Sequence, residues 1–397
     1  MDVFAYIYGG NNTKIWGLTP KERMERILKH SGKIEIIDDV SSIPATTSRV
    51  LILNCRYILD ERIIPFIIEN SNIAIVSNSN TRDIIAINID SNMFNEAIKA
   101  INREIDIKEI KGIKLKSITE ITTQAFQKKL KKVERPFVLD SEQDDPTYIT
   151  NKLYYGSYKG VTDIVTRLVW PKPAMQAVKF CVRHKITPNQ VTALSLILAI
   201  IAGLLFYINL YFIGLILAWF MTFLDTVDGK LARVTVTSTE FGNRLDHSID
   251  IIHPLYWYAC WGYGLKEWNI NVISLDQTVF VIFIFYILGR LCEGAFQLIL
   301  KAPFTIFCWR PFDSIFRLVT ARRNPNLIIL TIFAALGACD IGLFIVALWT
   351  VISTTIMVVR IFLAYKVKKE NGRLSSWLAD IDPEIAKTNK IYRLFIY

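Results

Sequence analysis

The six cysteines (Cys55, Cys181, Cys260, Cys292, Cys308 and Cys339) are scattered, and no two of them form a C-x-x-C pair. That absence argues against a zinc site or a disulfide framework and fits reduced thiols. A leader is also missing. "MDVFAYIYGG" has neither a basic n-region nor a long enough apolar core, so the N-terminus is expected to stay in the cytoplasm. Nor is there a soluble basic face interleaved with aromatics, so nucleic acid is not an expected partner. The net charge of +10 has a plainer source in basic cytoplasmic flanks on a membrane protein.

Apolar residues, by contrast, are abundant. They make up 52% of the chain, with a mean hydropathy of +0.32, and the excess is uneven. The first 150 residues resemble a soluble protein, whereas the text turns membrane-like from about residue 187. Residues 2–9 read as a buried strand. In "TPKERMERILKH", Thr19 can N-cap, Pro20 suits the first helical position and Glu22 completes a capping box. The runs 49–54 and 72–77 are β-branched and alternate with helical patterns at 60–70 and 93–102. This alternation predicts a Rossmann-like α/β domain with a parallel sheet over residues 1–140. Residues 141–157 carry turn formers and charge and are expected to be a linker. Residues 158–185 mix apolar spacing with Lys and Arg, as expected of amphipathic helices lying on the membrane surface.

Span candidates follow at 189–208, 211–224, 249–264 and 277–300, with two more inside 326–365. The prediction is an all-α bundle of six transmembrane helices over residues 186–366, with a cytoplasmic tail at 367–397. Lys301, Arg310, Arg317, Arg322, Arg323 and the "KVKKENGR" tail then lie inside, while the outer loops hold only Lys266. This bias orients the protein in an inner or plasma membrane with its N-terminal domain in the cytoplasm.

Charge crowds the junction of the second and third spans, in "DTVDGKLARVTVTSTEFGNRLDHSID". Asp225 and Asp228 share one helical face, and Asp246 and Asp250 share another, with Gly242 one turn before Asp246. Four converging carboxylates stay ionised together only with cations between them. Oxygen ligands favour hard divalent ions, Mg²⁺ or Mn²⁺, and a two-metal cluster suits phosphoryl chemistry. A solvated turn neutralised by Arg233 and Arg244 is the plainer alternative. Against it, Asp246 and Asp250 run into the apolar stretch that follows, where ionisable residues mark function. A second class, a cation-binding transporter or scaffold, would place its carboxylates near mid-bilayer. Here they cluster at the cytoplasmic end, within reach of a soluble nucleotide.

Residues 225–250 spell D-x-x-D-G-x-x-A-R-x8-G-x-x-x-D-x-x-x-D without departure. This resembles the signature of the CDP-alcohol phosphotransferases, integral membrane enzymes with six spans. "ITPNQVT" (186–192) resembles that family as well, and the resemblance covers roughly residues 158–365. It implies that Asp225, Asp228 and Asp246 hold two metal ions. Asp250 would complete the cluster and act as general base. Gly229, Ala232, Arg233 and Gly242 would form the cytidine diphosphate pocket. The implied partners are a CDP-alcohol, an acceptor alcohol and membrane lipids, with a homodimer as the implied assembly and phospholipid or polyol phosphodiester synthesis as the implied role.

An acceptor bearing phosphate would want arginine. Arg290 and Arg360 inside spans, and Arg317 after the fourth span, are the candidates. Arg322 and Arg323 read as positive-inside topology signals. The N-terminal "YGGNNTKIWGLTPKER" loosely resembles a nucleotidyltransferase opening loop, but Asn54 and Cys55 stand where such enzymes carry a metal-binding aspartate. A nucleotidyltransferase-like fold in a regulatory, docking or structural role is expected there.

Overall fold

The computed structural model describes residues 3–30, 32, 34–37, 49–77, 83–121, 126–381, 389 and 392–395; the side chains of residues 240, 241 and 243–247 lie outside the description. The chain divides into two compact units. One comprises residues 1–125, 134–156 and 234–237, and the other residues 126–133, 157–233 and 238–397.

The first unit is an α/β structure. In chain order it contains β1 (Val3–Tyr8), α1 (Pro20–His30), β2 (Ile34–Ile37), β3 (Arg49–Asn54), β4 (Tyr57–Leu59), α2 (Ile63–Glu69), β5 (Ile73–Val76) and β6 (Ile84–Asp90). Then come α3 (Phe94–Ile101), β7 (Lys114–Ser117), α4 (Ile118–Ile121) and α5 (Pro146–Gly156). The predicted capping box at the start of α1 forms. Thr19 N donates to Glu22 Oε2 at 2.7 Å, and Glu22 N donates back to Thr19 Oγ1 at 3.2 Å.

The sheet order is β2-β1-β3-β6-β5-β7. It is mixed rather than parallel, because β6 runs antiparallel to both β3 and β5. Only residues 77–83 separate β5 from β6, too short a connection for a parallel crossover, so the chain must turn straight back. Within β6, Asn88 is fully buried and donates to the carbonyls of Ile67 (2.7 Å) and Asn70 (2.8 Å). Residues 146–156, expected as part of a linker, form α5. Tyr154 on this helix is buried 5.7 Å from the Trp16 ring, and the Trp16 indole donates to the Thr150 carbonyl at 3.0 Å.

Gly9 and Gly10 follow β1 with φ of 68° and 91°, backbone that costs a side-chained residue strain. A Cβ on Gly10 would lie 2.9 Å from Cys55 Cβ, and one on Gly9 would lie 2.9 Å from Asn54 Oδ1. The turn thus packs directly on the end of β3. Burial pushes the Cys55 thiol up to about 12, so it stays protonated and does not act as an anionic ligand.

The second unit is helical: α6 (Ile164–Leu168), α7 (Pro171–Arg183), α8 (Pro188–Tyr207), α9 (Tyr211–Val234), α10 (Glu240–Tyr263), α11 (Leu275–Leu298), α12 (Pro311–Val319), α13 (Arg323–Ala335), α14 (Cys339–Asn371) and α15 (Trp377–Asp380). Among the described residues, α8, α9, α11 and α14 are long and apolar enough to cross a membrane. The other two expected spans fall short of that standard. At 1.5 Å per residue, the 13 residues of α13 reach only about 20 Å, and α10 begins in the charged stretch. Apolar side chains face outward, among them Leu194, Ile197 and Leu204 on α8 and Phe212, Ile216 and Phe220 on α9, as helices bathed in lipid require. Inside, Phe206, Tyr211, Trp257 and Trp261 pack together, with Tyr211 and Trp261 at 4.4 Å between ring centroids. Both indoles of this cluster are satisfied: Trp257 donates to the Ala199 carbonyl (2.7 Å) and Trp261 to that of Cys339 (3.0 Å).

Candidate active site

Two helices bring the carboxylates together. Asp225 and Asp228 lie one turn apart on α9, and Asp246 and Asp250 one turn apart on α10. The side chain of Asp246 lies outside the described residues. Asp225 and Asp250 converge on a single cation. Arg323, at the first position of α13, donates from Nη2 to Asp225 Oδ2 at 2.5 Å and from Nη1 to Asp250 Oδ1 at 2.7 Å. Asp250 is the more accessible of the two, its side chain 36% exposed against 16% for Asp225. Asp228 is buried and accepts from the Thr192 hydroxyl at 2.6 Å.

The backbone around Asp250 is shaped by a proline. Pro254 lies inside α10, four residues on, and has no N–H to give to the Asp250 carbonyl. A buried carbonyl without a partner is costly, and the Tyr286 hydroxyl of α11 supplies the missing bond at 3.2 Å. Tyr286 therefore helps to position the Asp250 backbone. "ITPNQVT" proves to be a helix start. Thr187 N donates to Gln190 Oε1 (2.8 Å) and Gln190 N to Thr187 Oγ1 (3.3 Å), with Pro188 at the first position of α8. The box fixes the first turns of α8 and so aims Thr192 at Asp228.

The residues expected at the nucleotide pocket lie beside these carboxylates. The Arg233 guanidinium folds back over Gly229, where a Cβ would come within 3.0 Å of Nη2. Ala232 is half-buried on the same helix. A Cβ on Gly242 would meet Thr239 Oγ1 at 3.0 Å and Asn189 Oδ1 at 3.3 Å, so glycine there permits close approach to the α8 N-terminus. Lys230, unremarked in the sequence, is buried on α9 with Nζ 3.4 Å from the Tyr158 ring centroid.

The acceptor candidates part company. Arg360 is held by Asp313, from Nε at 2.6 Å and Nη2 at 2.8 Å, and lies over the Trp309 and Phe312 rings. Arg317 has its Nη1 buried without a hydrogen bond among the described residues. Arg290 lines a cleft with Tyr286, Arg322, Thr350, Ser353 and Thr354, and Tyr286 joins that cleft to Asp250. Lys131, outside the helices, belongs to the same electropositive neighbourhood. Burial pushes its ammonium down to about 8, and Lys159, Arg317 and Arg290 press the same way.

Sequence reasoning misread "ARRN". Arg322 and Arg323 are turned inward, with side chains only 11% and 14% exposed, rather than standing free in a basic loop. Arg322 pairs with Glu293 of α11, Arg323 with Asp225 and Asp250, and Asn324 donates to Asp163 at 2.9 Å. Asp163 also caps α6 through Val165 N (3.1 Å) and Thr166 N (3.0 Å). Burial alone would raise its carboxyl; Arg317 and these donors hold it below the ordinary range. The available signal was position: two arginines followed by an asparagine, immediately before an apolar helix.

Carboxylate oxygens are the donor type a hard divalent ion takes, and those of Asp225 and Asp250, from two helices, are already gathered about a positive charge. Among the described residues, no group of three or more His, Cys, Asp or Glu is placed to hold a metal ion.

Residues 185–308 match the family model of CDP-alcohol phosphatidyltransferase. Over 100 residues the chain is 36% identical to archaetidylinositol phosphate synthase of Pyrococcus horikoshii, covering 24% of this chain and 52% of that one. Over 189 residues it is 25% identical to the bifunctional IPC transferase and DIPP synthase of Aquifex aeolicus, covering 46% of this chain and 40% of that one. Comparison with the crystal structure of phosphatidylinositol phosphate synthase of Mycobacterium tuberculosis with CDP-DAG bound gives a TM-score of 0.33 at 20% identity, over 48% of this chain and 94% of that one. The chain spans about half the length, or less, of the curated relatives it matches. With four apolar helices and this match it is a multi-pass membrane protein. The segment that matches the CDP-alcohol phosphatidyltransferase family model, residues 185–308, carries the spaced aspartates from Asp225 to Asp250.

Proposed function

We propose that this chain is a membrane transferase that moves a substituted phosphate group from a CDP-alcohol to an acceptor hydroxyl, releasing CMP. The observation that carries the reading is the meeting of Asp225 and Asp250, from two helices, on one positive charge. Asp225, Asp228, Asp246 and Asp250 would hold two divalent ions, Mg²⁺ or Mn²⁺, which would neutralise the diphosphate. Arg233, with Gly229, Ala232 and Gly242 leaving room beside it, binds the cytidine diphosphate. Asp250 takes the proton of the acceptor hydroxyl. The oxygen attacks the β-phosphorus, the bond to the bridging oxygen breaks, and CMP departs. Arg317 and Arg290, with Lys131 near them, receive an anionic group on the acceptor; one relative is named archaetidylinositol phosphate synthase. The product is a phospholipid or a polyol phosphodiester.

The same reading takes residues 186–366 as a six-span body, 158–185 as helices at the membrane surface, and the active site and N-terminal unit as cytoplasmic. The N-terminal unit serves docking or regulation, and the assembly is a homodimer.

Purified protein should be stabilised against heat by CMP only when Mn²⁺ is present. Ligand at about 100 times its Kd would add about 2.7 kcal/mol, several degrees of melting temperature. Absence of any metal-dependent shift, together with no CMP released from CDP-alcohols, would sink the reading. Gly229→Ala supplies a finer check. The helix interior gains up to about 1 kcal/mol, while the displaced Arg233 weakens CMP binding roughly tenfold. Calorimetry with CMP beside a melting curve separates the two effects, and unchanged CMP affinity would remove Arg233 from the pocket.

A further inference from the structure

We infer that Arg323 is an exchangeable internal cation: it closes the Asp225–Asp250 pair, must be displaced by divalent ions, and thereby makes metal binding and anion binding depend on each other. This rests on the reading of these carboxylates as metal ligands. Arg323 lies beyond the matched residues 185–308, and its guanidinium bridges two helices through one oxygen of each carboxylate. Those carboxylate oxygens are of the type that an oxygen-ligated divalent ion would also take. Guanidinium and ion are therefore alternatives for the same lone pairs.

Charge gives the exchange its direction. Without metal, the carboxylates repel and one guanidinium offsets half of the Asp225–Asp250 charge. With two divalent ions against four aspartates, the metals balance the carboxylates and the guanidinium is left as surplus positive charge on a side chain only 14% exposed. Leaving that charge unpaired is costly, so it calls for an anion. Arg290 and Arg322, reached through Tyr286 and sharing the single carboxylate of Glu293, leave this side of Asp250 with one net positive charge. Metal entry thus raises affinity for an anionic ligand, and by reciprocity an anion raises affinity for metal.

The experiment is Mn²⁺ titration of the full chain in detergent, followed by calorimetry and by the Mn²⁺ spin-resonance signal, without nucleotide. Wild type should bind Mn²⁺ more tightly in millimolar inorganic phosphate than without it. Arg323→Gln should bind Mn²⁺ at least tenfold more tightly than wild type in the absence of phosphate and should lose the phosphate effect. Arg323→Lys keeps the charge but cannot bond two carboxylates with a planar fork, and should fall between; it also serves if the Gln variant does not fold. Variants that melt as wild type does but bind Mn²⁺ no tighter overturn the exchange and leave the transferase reading standing. Failure of the wild type to bind Mn²⁺ at all overturns both.

Discussion

Asp250→Asn should lower phosphodiester formation by about 10²- to 10⁴-fold, the range a positioned general base supplies, while Mn²⁺-dependent CMP binding survives within about tenfold. The substitution keeps the shape and the bond that Arg323 Nη1 makes to Oδ1 at 2.7 Å, since an amide oxygen still accepts there. It removes the negative charge and the ability to take a proton. Asp225→Asn has a different expected outcome. Asp225 is less exposed and lies on α9 with Gly229, Ala232 and Arg233, so its loss should weaken metal-dependent CMP binding itself. Comparing the two variants by CMP calorimetry and by product formation separates proton transfer from metal holding. If Asp250→Asn turns over at the wild-type rate, another group accepts the proton.

The site was legible because its information is local. A helix converts the i, i+3 spacing of Asp225 and Asp228, and the i, i+4 spacing of Asp246 and Asp250, directly into shared faces. The capping boxes at Thr19 and Thr187 are four-residue patterns and equally readable. What the sequence concealed depends on long-range contact. Arg323 meets Asp225 across 98 residues and Asp250 across 73, so only the fold could distinguish it from a topology signal. Tyr286 was silent for the same reason, although Pro254 announced that a carbonyl one turn earlier would need a partner. In the first unit, the positions of β1, β3 and β5 were predictable from short apolar runs, but β2, β4 and β7 were not read and strand direction was not predictable. A short connection after β5 decided that β6 runs antiparallel, and the β6 run itself drew no notice.

Arg360 poses the sharpest case of a buried charge with two possible meanings, and its pairing fixes the expected result. Asp313 is 3% exposed and Arg360 17%, and they share two bonds at 2.6 and 2.8 Å. Asp313→Leu should therefore cost about 3–5 kcal/mol, since it strands a guanidinium against the Trp309 and Phe312 rings. Arg360→Met should also destabilise, because the Asp313 carboxylate would keep only the Arg310 backbone N–H, at 3.0 Å, of its present bonds. The double variant Asp313→Leu with Arg360→Met should recover most of the loss, because apolar groups of similar size replace a pair whose desolvation offsets its attraction. Melting temperatures of the four proteins in detergent form the cycle, and strong non-additivity is the expected result. The same set tests function. With Arg360 engaged by Asp313, the double variant should keep the acceptor KM of wild type, whereas Arg317→Met, which removes a buried Nη1 that no described group satisfies, should raise it. A double variant that melts normally but loses acceptor affinity would return Arg360 to the acceptor site and make Asp313 its positioning partner.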